Sequence, residues 1–190
     1  MRTVHNFRWH ARAGQGAVTA SKTLADVAAE DGRYVQAFAE YGAEKRGAPV
    51  VAFNRFSEKQ IRLYCAILEP NWIICMDPTL IGTVDIAAGA CPDSSFIINT
   101  PHDAARLREQ IEFGPMEFYY FDATKISEEE IGRDIPNLVI MGAIVKVTGL
   151  FEKEKFEQIL GDHMRRHFPP KIAEANMRCF QRGYEEVVEG

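Results

Sequence analysis

Residues 7–19 read FRWHARAGQGAVT: an apolar-rich run, a short turn carrying Gly14, Gln15 and Gly16, then the opening of a helix. Glycine accepts a positive φ and has no Cβ, so the backbone turns sharply there and leaves free the N–H groups at the start of the next helix. A strand-to-helix turn of this kind is shaped to receive an anionic group. The dinucleotide fingerprint G-x-G-x-x-G is incomplete, because Ala11 and Ala13 stand where further glycines are looked for and only Gly14-x-Gly16 is present. From the turn alone two readings are open. Either His10, Arg12 and Gln15 offer a ring, a cation and an amide to a phosphate or carboxylate, or they are solvated side chains beside a tight βα turn.

Outward from this turn, apolar β-rich runs alternate with helical patterns, which predicts an α/β fold. Strands are expected at 4–10, 34–38, 49–56, 72–76 and 95–99, with 118–121 the last. The run 72–76 (WIICM) is apolar throughout, as in a strand buried on both faces, and it ends at Asp77 and Pro78, where ligand-binding loops sit in parallel sheets. A first helix from 17 to about 31 turns Val18, Leu24, Val27 and Ala28 to one side and leaves Ser21, Lys22, Asp26 and Glu30 solvated. Thr100 and Pro101 read as the cap and first turn of a helix reaching about 111. From about 136 the chain is helical: 136–149 is apolar almost all round, which fits burial between the sheet and a neighbour and partly a subunit seam, 152–167 stops before Pro169 and Pro170, and 171–188 carries Ile172, Ala175, Cys179, Tyr184 and Val187 as a stripe. No linker divides residues 1–190, which are read as a single domain. The expected architecture is a Rossmann-like three-layer sandwich, a mostly parallel central sheet with helices on both faces.

With 190 residues, 46% hydrophobic and 26% charged, the composition is that of an ordinary globular chain able to bury roughly two-thirds of its unfolded surface. A net charge of −5 provides no general attraction for polyanions, so nucleic acid is not an expected partner. The opening MRTVHN lacks the apolar core of a signal peptide and no apolar run is long enough to span a bilayer, so the cytoplasm is the expected location and no membrane partner is expected. Cys65, Cys75, Cys91 and Cys179 are too far apart for a C-x-x-C metal or cluster motif, and Cys75 and Cys179 sit in apolar contexts that fit buried, reduced thiols.

A second motif, YGAEKRGAPV at 41–50, lies some thirty residues beyond the first. Glu44, Lys45 and Arg46 read either as an exposed charge cluster or, with Gly42 and Gly47 allowing unusual backbone angles on either side, as charges aimed inward or across a seam. Together the two motifs resemble the gamma subunit of the 2-oxoacid:ferredoxin oxidoreductases, the pyruvate-oxidising enzymes among them. That family's loop G-x-G-G-Q-G-x-x-x-A is matched by residues 11–20, with alanine at 11 and 13, and its Y-G-x-E-x-R-G-A/G-x-V by Tyr41, Gly42, Glu44, Arg46, Gly47, Ala48 and Val50. The resemblance continues through PNWIICMDP (70–78), NLVIMG (137–142) and 171–183 around Asn176.

The resemblance implies a subunit that closes over the active site of a multisubunit enzyme performing oxidative decarboxylation of a 2-oxoacid. Thiamine diphosphate, Mg2+ and 4Fe–4S clusters would sit on partner chains of the alpha, beta and delta type, and electrons would pass to ferredoxin. It implies also a share in binding coenzyme A, carried by His10, Arg12, Gly14, Gln15, Gly16, Glu44, Arg46 and Gly47. The methyl groups of Ala11 and Ala13 are expected to narrow the space beside a bound phosphate, which fits equally a relative that uses oxalate or an aromatic 2-oxoacid. Other readings are a structural assembly subunit with no ligand of its own and a free-standing dinucleotide-binding domain. Asp77 reads as a turn cap or a ribose ligand, Asn99 and Thr100 likewise, and Asn176 as a helix amide that is solvated or meets a partner. His102, His163 and His167 read as surface imidazoles.

Overall fold

In the computed structural model, residues 4–41 and 47–190 are described. The strands are β1 (Val4–Arg12), β2 (Tyr34–Tyr41), β3 (Pro49–Ser57), β4 (Trp72–Cys75), β5 (Ser95–Asn99), β6 (Glu117–Phe121) and β7 (Val188–Glu189). The helices are α1 (Ala17–Glu30), α2 (Ala104–Gln110), α3 (Ala123–Ile131), α4 (Asn137–Thr148), α5 (Lys153–His167) and α6 (Pro170–Glu186). The strands form one sheet in the order β2-β3-β1-β4-β5-β6-β7. The α/β sandwich is the one expected, but the sheet is mixed. β1, β4, β5 and β6 run parallel, whereas β2, β3 and β7 each pair antiparallel. β6 is not the last strand, since the two residues of β7 return to pair beside Tyr119 and Tyr120.

Side-chain alternation divides β1 between two cores. Phe7, Trp9 and Ala11 face the larger one, with Ile74, Ile97 and residues of α1 and α3–α6. On the opposite face, Ile73, Cys75, Phe96 and Ile98 pack against Leu80, Ile86, Leu107 and Phe113, covered by α2, a 3-10 turn at Pro78–Leu80 and irregular segments. Buried Asn54 stitches the thick side: it accepts from Trp9 Nε1 at 2.8 Å and donates to the carbonyl of Ser21 at 2.8 Å. Ser21 is therefore buried, not solvated, and its hydroxyl donates back to Val18 O.

The apolar surface of α4 is consumed within the chain: Leu138 through Val145 are all buried, against α6, α1 and the sheet. A subunit seam is not needed to explain its composition. Gly142 and Gly183 let α4 and α6 cross in backbone contact, for a Cβ at Gly183 would collide with the Val139 carbonyl and one at Gly142 with that of Phe180. The buried stripe of α6 consists of Ala173, Ala175, Cys179, Phe180 and Gly183; Ile172 is 47% exposed and Val187 lies beyond the helix end. α2 also starts later than expected, because Asp103, not Thr100, caps it by accepting from Arg106 N at 3.0 Å.

Candidate functional site

Parallel pairing places the carboxyl ends of β1 and β4 side by side, and antiparallel pairing sets Pro49, the first residue of β3, opposite Arg12, the last of β1. Three chain segments thus meet at one sheet edge: the glycine turn after β1, the 77–80 segment after β4, and Gly47 and Ala48 before β3. Carboxyl ends of parallel strands are where α/β sheets hold ligands.

At this edge Gly14 has φ +107° and Gly16 φ +84°, a left-handed conformation costly for any residue with a Cβ. A Cβ at Gly14 would meet nothing within 4 Å, so its backbone borders open space; at Gly16 the neighbour is Asn137 Nδ2 at 3.3 Å. Gly16 caps α1 without any side-chain bond to the helix N–H groups. The turn lines a groove of about 320 Å³ with Arg12, Ala13, Thr19 and Val50. Ala11 does not narrow it, because alternation sends that methyl group into the core; only Ala13 lies on the groove.

Both polar atoms of Gln15 make a hydrogen bond within the protein. Its Oε1 accepts from Arg12 N at 2.9 Å and its Nε2 donates to Asp77 Oδ2 at 2.8 Å. Asp77 Oδ1 in turn accepts from Thr79 N and from Thr79 Oγ1, making the cap expected of it. Arg12 reaches across all three segments: Nε donates to Thr79 Oγ1 at 2.8 Å, Nη1 to Gly47 O at 3.1 Å, and Nε lies 3.5 Å from Asp77 Oδ2. Its side chain remains 31% exposed. Ala13 N donates to Ala48 O at 2.9 Å, joining the two glycine-bearing segments through the backbone as well.

Arg12, Gly14, Gln15, Gly16 and Gly47 are therefore brought together, while Glu44 and Arg46 lie outside the described residues. His10 is not at the groove. It points to the thin face, is buried, and accepts at Nε2 from Arg8 Nε at 3.0 Å. Burial first, and the neighbouring Arg8 cation second, push its pKa down to about 4, so the ring is neutral. Arg8 itself is anchored on the carbonyls of Ile86 and Ala88.

Asn99 is structural, donating to Met76 O and Thr124 Oγ1 and accepting from Thr124 N. Thr100 accepts from His102 N. Asn176 lines a second, larger recess of about 640 Å³ between α1 and α6, which adjoins the first at Thr19 and includes Arg133, Phe168 and Lys171. His163 and His167 stack at 4.3 Å on α5. Among the described residues no group of three or more His, Cys, Asp or Glu is arranged to hold a metal, and no helix is long and apolar enough to cross a membrane. Sequence reasoning missed Thr79 and Asn137 at the site; the D-P-T spacing of a capped turn was the available sign of the first.

A mixed sheet in this order, with an uncapped glycine turn at the carboxyl ends of its parallel strands, defines an α/β domain with an anion-receptive turn. A family match over residues 6–186 makes this specific. The chain belongs to the pyruvate ferredoxin/flavodoxin oxidoreductase family, and it is a gamma-type subunit of such an oxidoreductase. The pyruvate synthase subunit PorC of Thermotoga maritima is 43% identical over 180 residues, covering 95% of this chain and 93% of that protein. The common gamma subunit of the pyruvate/ketoisovalerate oxidoreductases of Pyrococcus abyssi is 41% identical over 175 residues, covering 92% and 95%. The crystal structure of the Thermotoga maritima pyruvate oxidoreductase subunit matches with a TM-score of 0.86 at 39% identity, over 100% of this chain and 99% of that one. A 2-oxoglutarate:ferredoxin oxidoreductase from Magnetococcus marinus, solved with 2-oxoglutarate, coenzyme A and succinyl-CoA bound, shares the fold, with a TM-score of 0.75 at 17% identity over 97% of this chain and 31% of that one.

Proposed function

We propose that this chain covers the active site of a thiamine-diphosphate-dependent 2-oxoacid:ferredoxin oxidoreductase and helps to hold coenzyme A. Partner subunits of the alpha, beta and delta type would hold the thiamine diphosphate, Mg2+ and 4Fe–4S clusters, with ferredoxin as electron acceptor. The observation that carries the reading is the meeting of the two glycine-bearing segments at Arg12, whose guanidinium bonds Gly47 while a third of its side chain stays open to the groove. The parts fit a pyrophosphate: an N-terminus of α1 free of side-chain caps, a glycine at 14 with open space where a Cβ would stand, and a cation with donors to spare. When bound, coenzyme A supplies the thiol that accepts the acyl group; Arg12 and the turn bind and orient its phosphates.

The same geometry supports one other reading. Both polar atoms of Gln15 are spent inside the protein, as they would be in a purely structural subunit. In the assembled enzyme, Arg12→Ala separates the two: a KM for coenzyme A raised about tenfold, with the KM for the 2-oxoacid unchanged, supports ligand contact. An unchanged KM for coenzyme A favours the assembly role, and so does a calorimetric titration in which coenzyme A gives no heat. Substrate profiling with pyruvate, oxalate and aromatic 2-oxoacids identifies the acid.

A further inference from the structure

Between β3 and β4 the chain runs through residues 58–71 without regular structure, and this segment gathers three large apolar side chains in the open. Tyr64 is 91% exposed, Leu68 76% and Leu63 51%. We infer that it is an anchoring loop whose Leu63, Tyr64 and Leu68 insert into an apolar socket on a different subunit of the enzyme.

The loop is built, not slack. Ile61 and Ile67 turn inward and are buried, so the segment has its own attachment to the core while the other three point away. Buried Arg55 reaches up from β3: Nη2 donates to the carbonyl of Cys65 at 2.6 Å and to that of Ala66 at 3.3 Å. Its Nη1 donates to Gln36 Oε1, and Gln36 Nε2 donates to Leu63 O at 2.9 Å. On the far side the Leu68 carbonyl rests so close to Gly89 that a Cβ there would collide with it. The ordering entropy that an interface loop ordinarily loses on docking is thus already lost on folding. Exposed Glu58, Lys59, Arg62 and Glu69 flank the apolar residues along the segment with charges of both signs, the composition of a hot spot beside a polar rim.

The occupant is another protein chain, and not a second copy of this one. The three side chains stand open to solvent, whereas small-molecule sites are concave. Together they expose on the order of 400 Å², about half of what one side of a standard interface buries, so they form the centre of a wider contact. The chain is a gamma-type subunit of an oxidoreductase built from different subunits, so a different chain is at hand to supply the socket. Neighbouring surfaces of the two chains supply the remaining area. The inference does not depend on what the glycine turn holds.

A photoreactive benzophenone amino acid at position 64, irradiated in the enzyme assembled from all its subunits, is expected to give an adduct with a different subunit. Tyr64→Ser combined with Leu68→Ser is expected to weaken association of this chain with the remaining subunits at least tenfold, read as the fraction eluting free, with its own melting temperature unchanged. Adducts only between copies of this chain, no adduct, or undiminished association of the folded double variant overturns the inference. If the double variant does not fold, the adduct decides.

Discussion

Gln15 donates its side-chain amide to Asp77 Oδ2 at 2.8 Å while accepting the Arg12 amide at 2.9 Å, so one side chain fastens the glycine turn to the end of β4. The tie spans 62 residues of sequence and is possible only because β1 and β4 are parallel neighbours. Asp77 is buried, and its second oxygen is committed to Thr79. The shape of the turn is thus held from outside by a carboxylate that a ligand need not touch.

Asp77→Ala removes the Thr79 cap and the Gln15 tie together. Hydrogen bonds to a buried charged acceptor contribute about 1.5–3 kcal/mol, so a loss of about 2–3 kcal/mol is expected, measured by urea unfolding of the chain. Asp77→Asn retains an acceptor for Thr79 and should lose less. Equal stability of wild type and Asp77→Ala would show that the turn holds its shape without this brace.

Legibility followed the range of the interactions. The β1-turn-α1 unit was readable because its determinants are local: two glycines at positive φ and an apolar stripe. Apolar runs located β2 to β5, but their residues do not encode direction, so the antiparallel pairing of β2, β3 and β7 was not foreseen. His10 lies away from the groove because the face it shares with Arg8 is covered by the Ile86 and Ala88 carbonyls that anchor Arg8, which arrive from about 80 residues on and leave no sign near His10. Ser21 looked solvated because nothing near it in sequence announces Asn54, which arrives from β3. The apolar run of α4 was recognised as buried, but what buries it, the glycine-mediated crossing with α6, depends on residues 41 positions apart and carries no local sign.

That crossing gives a paired test of one substitution. Gly183→Ala places a methyl group against the Val139 carbonyl, backbone that cannot step aside, and is expected to cost about 3 kcal/mol of stability. Gly161→Ala, in the middle of α5, meets only the far end of the Arg165 side chain and is expected to add about 0.5–1 kcal/mol through helix propensity. Thermal unfolding of both variants checks the opposite signs; equal shifts would refute close contact of α4 and α6.

The four thiols should separate by reactivity. Burial pushes Cys75 up to about 12 and Cys179 up to about 11, while Cys65 is exposed and Cys91 partly so. At about pH 8 a disulfide reagent should modify Cys65 first and Cys91 more slowly, reaching Cys75 and Cys179 only after denaturation, because the thiolate is the reacting form. Mass spectrometry after timed quenching assigns the order. Cys65 lies in the anchoring loop, so its rate should fall once the enzyme is assembled.

The neutral state of His10 ties stability to pH in a defined direction. Its pKa falls from the ordinary 6.5 to about 4 on folding, first because burial penalises the charged ring and then because Arg8 lies beside it. Between those two values the unfolded chain holds a proton that the folded chain does not, so stability rises with pH through this window and is level above it. Lowering the pH from 6.5 to 4 should therefore remove up to about 3 kcal/mol through this residue alone. In His10→Gln the side-chain carbonyl still accepts from Arg8 Nε, yet the position no longer titrates. Urea midpoints measured across the window should show a slope smaller than wild type by about one proton. An unchanged slope would mean that His10 is not held neutral beneath the thin face of the sheet.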